Sequence, residues 1–273
     1  MQGWISETST EYFARKDGFI NNSLIKEALV SPRNLLKPEI ETTEAMSFGK
    51  ALHYKILEPE YYEEYVIILD HGFDTKSTQL IMTTHVDEKD DFAYITKKSD
   101  ELIEQMYKAF SKTPKAIELV ESCEKELSGY YPVSDKFTVK IKPDMINRND
   151  RFMVDLKSTT SGQLHNWSNT VEKYKYHVQA GDYCSAADKI DKIKAKYEAY
   201  NLWKWLVIEK SEPFHVKIIE CSPDYLEIGK IEASRGIDII LDAWNNKNYG
   251  QNDIEDVCTP PSWLVKQYQG LLH

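Results

Sequence analysis

In FMVDLKSTT, residues 152–160, Asp155 and Lys157 stand two apart, behind an apolar triplet and ahead of three hydroxyl residues. Side chains alternate along an extended chain, so the carboxylate and the ammonium share one face and Leu156 takes the other. Such a pair is either an ion pair on a strand surface or a metal ligand beside a group that can hold or deprotonate water. Asp144 lies upstream in VKIKPD, and Asn147–Asp150 (Asn-Arg-Asn-Asp) has the residue types of a tight turn. A hairpin closed there sets Asp144 roughly opposite Asp155, close enough to share a cation. His53 follows Gly49 by one helical turn in GKALHYKIL and can add a neutral imidazole; a glycine at 49 permits close packing. In YKYHVQAGDY, Tyr176, Gln179 and Tyr183 fall on one helix face, either as an amphipathic packing stripe or as support for a site.

The elements that must position these residues follow from apolar periodicity. INNSLIKEALVSP predicts a helix capped by Asn22 or Ser23, with Leu24, Ile25, Ala28 and Leu29 at helical intervals and Pro32 ending it. A second helix starts at about Thr43 and aligns Ala45, Phe48, Leu52 and Ile56; Pro59 opens a further turn. VIILD reads as a buried strand, and residues 71–96 as a polar, irregular excursion. KKSDELIEQMYKAF and TPKAIELVESC read as helices, the latter with Pro114 at its first position. The period then changes to two in ELSGYYPV, KFTVKIKPDMI and RFMVDLKS. VEKYKYHVQAGDYCSAADKI predicts one helix despite Gly181, and YNLWKWLVIEK and FHVKIIEC predict strands turning at Glu212–Pro213. A long helix capped by Ser222, with Pro223 first, runs to the asparagines at 245–246. The whole, 1–273, reads as one α/β domain with a mixed sheet flanked by helices. Its parts are helical to about residue 65, a core at about 115–246, and a terminal arm at 247–273.

Composition narrows the classes. A 41% hydrophobic fraction with 12% aromatics is that of a folded chain. No apolar run approaches the ~20 residues of a membrane span, and the amino terminus lacks a signal pattern, so the cytoplasm is the expected compartment. Cys123, Cys184, Cys221 and Cys258 are scattered without a C-x-x-C pair, which points to reduced thiols rather than a zinc site. The net charge of −10 opposes a generally basic surface but leaves room for a local basic groove.

Taken in order, GKALH, KPD, DLKS and QAGDY resemble the G-x-x-x-H helix, first acid, acid-x-lysine and Q-x-x-x-Y helix of the PD-(D/E)-x-K nuclease superfamily. Within it they resemble the RecB-like and RecE-like exonucleases, and YKYHVQAGDY and SLIKEALVSP look particularly like the RecE type found in phages and prophages. The likeness spans roughly Asn22 to Glu209. It implies a restriction-endonuclease-like core in which Asp144, Asp155 and the Leu156 carbonyl bind Mg²⁺ or Mn²⁺, two ions in all, with His53 a further ligand. Lys157 would orient or activate the attacking water, and Gln179 and Tyr183 would support the site and the DNA backbone. A glutamate ahead of the first acid is also implied, Glu126 or, less well placed, Glu124. Gly181 and Asp182 depart from the small or apolar residues expected inside the Q-x-x-x-Y helix. The cysteine spacing departs from the iron–sulfur relatives, so no such cluster is expected. The implied activity is 5′-to-3′ hydrolysis from duplex DNA ends, as a homo-oligomeric ring working with a single-strand annealing protein. Lys140, Lys142, Lys173 and Lys175 flank the motifs and are candidate DNA contacts, with Ser158, Thr159 and Thr160 as candidate phosphate donors. The rivals are a structure-specific endonuclease of the same fold and a DNA-binding protein that has lost catalysis.

Overall fold

The computed structural model describes residues 2–38, 42–73, 75, 92–160, 163–193, 198–250 and 262–267. The chain runs β1 (Gly3–Ile5), α1 (Ser9–Ala14), β2 (Phe19–Ile20), α2 (Asn22–Val30), α3 (Glu44–Leu57), α4 (Tyr62–Tyr65), β3 (Val66–Leu69) and β4 (Ala93–Thr96). It continues through α5 (Lys97–Ser111), α6 (Pro114–Glu121), β5 (Glu124–Lys125), β6 (Ser128–Pro132), β7 (Thr138–Ile141), β8 (Met145–Asn147) and β9 (Phe152–Thr159). After α7 (Trp167–Lys173) and α8 (Tyr176–Ile190) come β10 (Leu202–Glu209), β11 (Val216–Glu220), α9 (Pro223–Asn246) and α10 (Ser262–Gln267).

The principal sheet has the order β11-β10-β9-β8-β5, with β9 and β10 parallel and the other pairs antiparallel. Both faces of β9 and β10 are covered, which is why their sequences are nearly continuous apolar runs. Alternation divides their side chains between two cores. Met153 packs with Trp203, Trp205, Val207 and the inner face of α8. Phe152, Val154 and Leu156 pack with Leu206, Ile208 and Phe48, Leu52 and Ile56 of α3.

Several expectations change. KFTVKIKPDMI is not one strand: β7 pairs with β6 in a separate sheet of order β1-β6-β7-β2, while β8 joins the principal sheet. Pro143, which has no N–H to give a ladder, lies in the break. The hairpin loop sits one residue later than the sequence suggests. Asn147 pairs with Phe152, and Asn147 Oδ1 accepts the Asp150 N–H at 2.8 Å. The excursion at 71–96 ends in a strand, β4, parallel to β3; residues 74 and 76–91 lie outside those described. The cap of α2 is Asn21, whose side chain accepts from the Leu24 N–H at 2.9 Å, rather than Asn22 or Ser23.

The helix predicted across 171–190 breaks, but not at Gly181. Lys175 takes a left-handed conformation (φ 51°) and separates α7 from α8. Gly181 is where α8 crosses α9. A Cβ there would lie 2.1 Å from the Gly229 carbonyl carbon, and one at Gly229 would lie 1.9 Å from the His177 oxygen. Only hydrogen at both positions permits that approach. At Gly49, by contrast, a Cβ would meet nothing within 4 Å, so this glycine leaves space rather than close packing.

Candidate functional site

His53 of α3, Glu126 after β5, Asp144 before β8, Lys157 of β9 and Tyr183 of α8 line one cleft of about 500 Å³. The β8–β9 register, Met145 opposite Val154, continued by one residue places Asp144 opposite Asp155. The Leu156 N–H donates to Asp144 Oδ2 at 2.7 Å, which fixes that carboxylate against β9. His53 reaches in from α3, its Nε2 3.2 Å from the Leu156 carbonyl oxygen and 3.5 Å from Asp144 Oδ2. Its Nδ1 lies 3.8 Å from Glu126 Oε1. Glu126 has a left-handed backbone (φ 52°) just after β5, and this turns its side chain toward His53. Glu124 is held elsewhere, in a double hydrogen bond with Arg148 of the hairpin at 2.6 and 2.7 Å.

One donor atom each from His53, Glu126 and Asp144 lies within 4.8 Å of the others. Asp155 stands outside this trio. Its Oδ1 accepts from Lys157 Nζ at 2.6 Å and from Gln179 Nε2 at 2.9 Å. Its Oδ2 is buried without a hydrogen-bond partner among the described residues, and the residue is only 1% exposed. A buried carboxylate oxygen left over in this way calls for a cation or a proton. Carboxylates, an imidazole and a backbone carbonyl suit a hard divalent ion, so the donor set fits Mg²⁺ or Mn²⁺.

The crowding of carboxylates shapes the electrostatics. Burial opposes protonation of His53, but Asp144 and Glu126 override it and raise the imidazole to about 9. Burial also opposes the Lys157 charge, yet Asp155 and Asp144 hold it above the usual lysine range. Burial raises Asp155 despite the Lys157 ammonium.

Tyr183 is buried against Trp203 and lines the cleft. Tyr176 receives the Lys157 ammonium over its ring at 5.1 Å. The lysines flanking the motifs separate into two kinds. Lys140 is no surface contact: it is 2% exposed and donates to the Tyr12 and Arg15 carbonyls at 2.7 and 2.6 Å. Lys142 lines the cleft and braces Glu126, donating to its carbonyl at 2.5 Å with the carboxylate at 3.5 Å. Lys173 is exposed and Lys175 half-buried. Thr159 is buried, Ser158 half-buried and Thr160 exposed. Cys123, Cys184 and Cys221 are buried; Cys258 lies outside the described residues.

Sequence reasoning missed Lys26 and gave Asp182 no role beyond a departure inside the Q-x-x-x-Y helix. Asp182, 1% exposed, accepts from Asn22 Nδ2 at 3.1 Å, and burial lifts it to about 7. This bond ties α8 to the start of α2, where Asn21, Asn22 and Ser23 line the cleft. Lys26, one turn along α2 from Asn22, sits over the Tyr176 ring at 5.6 Å. Burial and the nearby Lys157 ammonium lower it to about 8. The i, i+4 spacing from Asn22 to Lys26 was the available signal.

A mixed sheet delivering an acid-x-lysine strand to an acid and a histidine from neighbouring elements defines the PD-(D/E)XK nuclease fold. The chain belongs to the family described as "PDDEXK-like domain of unknown function (DUF3799)", whose model matches residues 26–255. It shares its fold with a protein of Eubacterium rectale whose crystal structure is described as that of a "Putative exonuclease". The TM-score is 0.62 at 14% identity over 98% of this chain and 100% of that one. No curated protein matches it. Among the described residues, no helix is long and apolar enough to cross a membrane.

Proposed function

We propose that the protein is a divalent-metal-dependent deoxyribonuclease acting on ends of duplex DNA. The observation that carries this reading is the convergence of His53, Glu126 and Asp144 beside the buried Asp155–Lys157 pair. His53, Glu126, Asp144, Asp155 and the Leu156 carbonyl would hold Mg²⁺ or Mn²⁺, two ions in all. When bound, such ions acidify water and offset negative charge on a phosphodiester. Lys157 offers its ammonium to the attacking water and to charge developing on the phosphate oxygens. Gln179 keeps the Asp155 carboxylate aimed, and Tyr183 closes the wall behind it. Water adds to phosphorus in line and gives up its proton to solvent as the bond to the 3′ oxygen breaks; that oxygen takes up a proton and leaves as a hydroxyl, and the product keeps a 5′ phosphate.

The resemblance to RecE-like enzymes, together with the description of the E. rectale protein, supports action from ends. The same resemblance supports 5′-to-3′ polarity, a ring-shaped homo-oligomer, an annealing-protein partner in phage-type recombination, and a cytoplasmic setting in a bacterial host. A ring reconciles the −10 charge with DNA, since basic groups need only line its channel.

The test compares 5′-labelled linear, 3′-labelled linear and closed circular duplex DNA, each with Mg²⁺ or Mn²⁺ and with chelator. Early release of the 5′ label alone, with the circle intact, is expected. A cut circle means an endonuclease, and degradation surviving the chelator overturns the mechanism.

A further inference from the structure

The break between α7 and α8 carries two tyrosines, Tyr174 and Tyr176, to which the proposed nuclease mechanism gives no part. Tyr174 projects there and is 47% exposed, large for an aromatic ring. It stacks on Tyr176 with ring centroids 5.5 Å apart and planes at 23°. Tyr176 in turn carries two ammonium groups over its ring, Lys157 at 5.1 Å and Lys26 at 5.6 Å. Lys173 lies over Tyr174 at 5.1 Å, and Lys175 makes the break itself. Among the described residues, Lys26 has no hydrogen-bond or ion-pair partner, although its charge is half-buried. The set adjoins the metal-binding residues. Lys157 lines the cleft and also lies against Tyr176, while Lys26 follows the cleft-lining Asn22 and Ser23 on α2.

An exposed aromatic stacked on a second ring, with lysines over both, has the chemistry of a single-strand platform: every base offers a face to stack, and each phosphate between bases needs a cation. The interior of a duplex could not use it, because its base faces are hidden in the stack. We propose that Tyr174 seats one base of a single strand leaving the cleft, with Lys26, Lys173 and Lys175 meeting the phosphates beside it. The assignment rests on the nuclease reading for the source of that strand. Lys173 is a long exposed side chain that moves from ring to phosphate when a base arrives.

The test measures anisotropy of a fluorescein-labelled oligothymidylate of about twelve nucleotides, with Ca²⁺ in place of Mg²⁺. Tyr174→Ala should weaken binding about tenfold and Tyr174→Trp should restore it. Lys26→Gln should lower the slope of log affinity against log salt by about 0.7. A single abasic position moved along the strand should weaken wild-type binding at one place and have no further effect in Tyr174→Ala. A merely structural tyrosine would not produce that pattern. Wild-type affinity in Tyr174→Ala, an unchanged salt slope in Lys26→Gln, or an abasic penalty equal in both proteins overturns the platform. If that happens while the wild type still degrades duplex DNA, the nuclease reading stands without it. Tyr174-dependent binding by a protein that cleaves no DNA would overturn the nuclease reading and keep the platform.

Discussion

Lys157 contacts Asp155, the Tyr176 ring and the cleft together, so its removal has separable consequences. Lys157→Ala should lower duplex degradation by about 10²–10⁴-fold, measured as acid-soluble nucleotide. The fold should survive, because a buried carboxylate that loses its cation takes up a proton rather than unfolding the chain; far-ultraviolet circular dichroism should be unchanged. Full activity in the variant would remove Lys157 from the mechanism. Asp182 gives a prediction of another kind. Its ordinary value is 3.8 and its folded value about 7, so the native state binds this proton more tightly than the unfolded chain does. Its contribution is therefore complete below pH 3.8 and is lost as pH rises through about 7. Relative to Asp182→Asn, which keeps an acceptor for Asn22, the wild type should lose at most about 4 kcal/mol across that window. Urea melts at a series of pH values measure it, and parallel pH profiles for the two proteins would refute it.

At the scale of elements, the glycines distinguish packing from access. Gly181→Ala drives a methyl into the α9 backbone and should destabilise the fold by about 3 kcal/mol or more. Gly49→Ala meets nothing and should stabilise α3 by about 0.5–1 kcal/mol. Thermal melts of the two variants should move in opposite directions. A drop in both would mean that α3 packs more closely against its surroundings than its open face at Gly49 indicates. The α2–α8 contact works on the same scale: the Asn22–Asp182 bond sets where the start of α2 meets the cleft, although neither residue belongs to the metal trio.

For the whole molecule, the site concentrates negative charge in a protein already at −10. A bound divalent ion should stabilise the native state by mass action, about 2.7 kcal/mol at a hundredfold excess over Kd, or about 5–10 °C in Tm. Mn²⁺ titrated into chelator-stripped protein should show this rise, and Asp144→Asn should abolish most of it. An equal rise in both proteins would place the ion elsewhere. The same acidity makes binding to a duplex depend on the few clustered lysines, and hence on ionic strength.

What the amino-acid sequence determined alone was local. The two-residue period of FMVDLKS and the helical spacing of Gln179 and Tyr183 are properties of a few consecutive residues, and backbone geometry converts them directly into faces. The chemistry of the acid, the lysine and the histidine was legible for the same reason. Tertiary structure decided what depends on neighbours distant along the chain. It separated β7 from β8, and it chose Glu126 over Glu124 for the place beside His53 through one left-handed residue. It also buried Lys140 under the Tyr12 and Arg15 carbonyls, while setting Lys26 over the Tyr176 ring. Lysines are alike in sequence; what each one does is set by the acceptors that folding carries to within about 3 Å of its nitrogen.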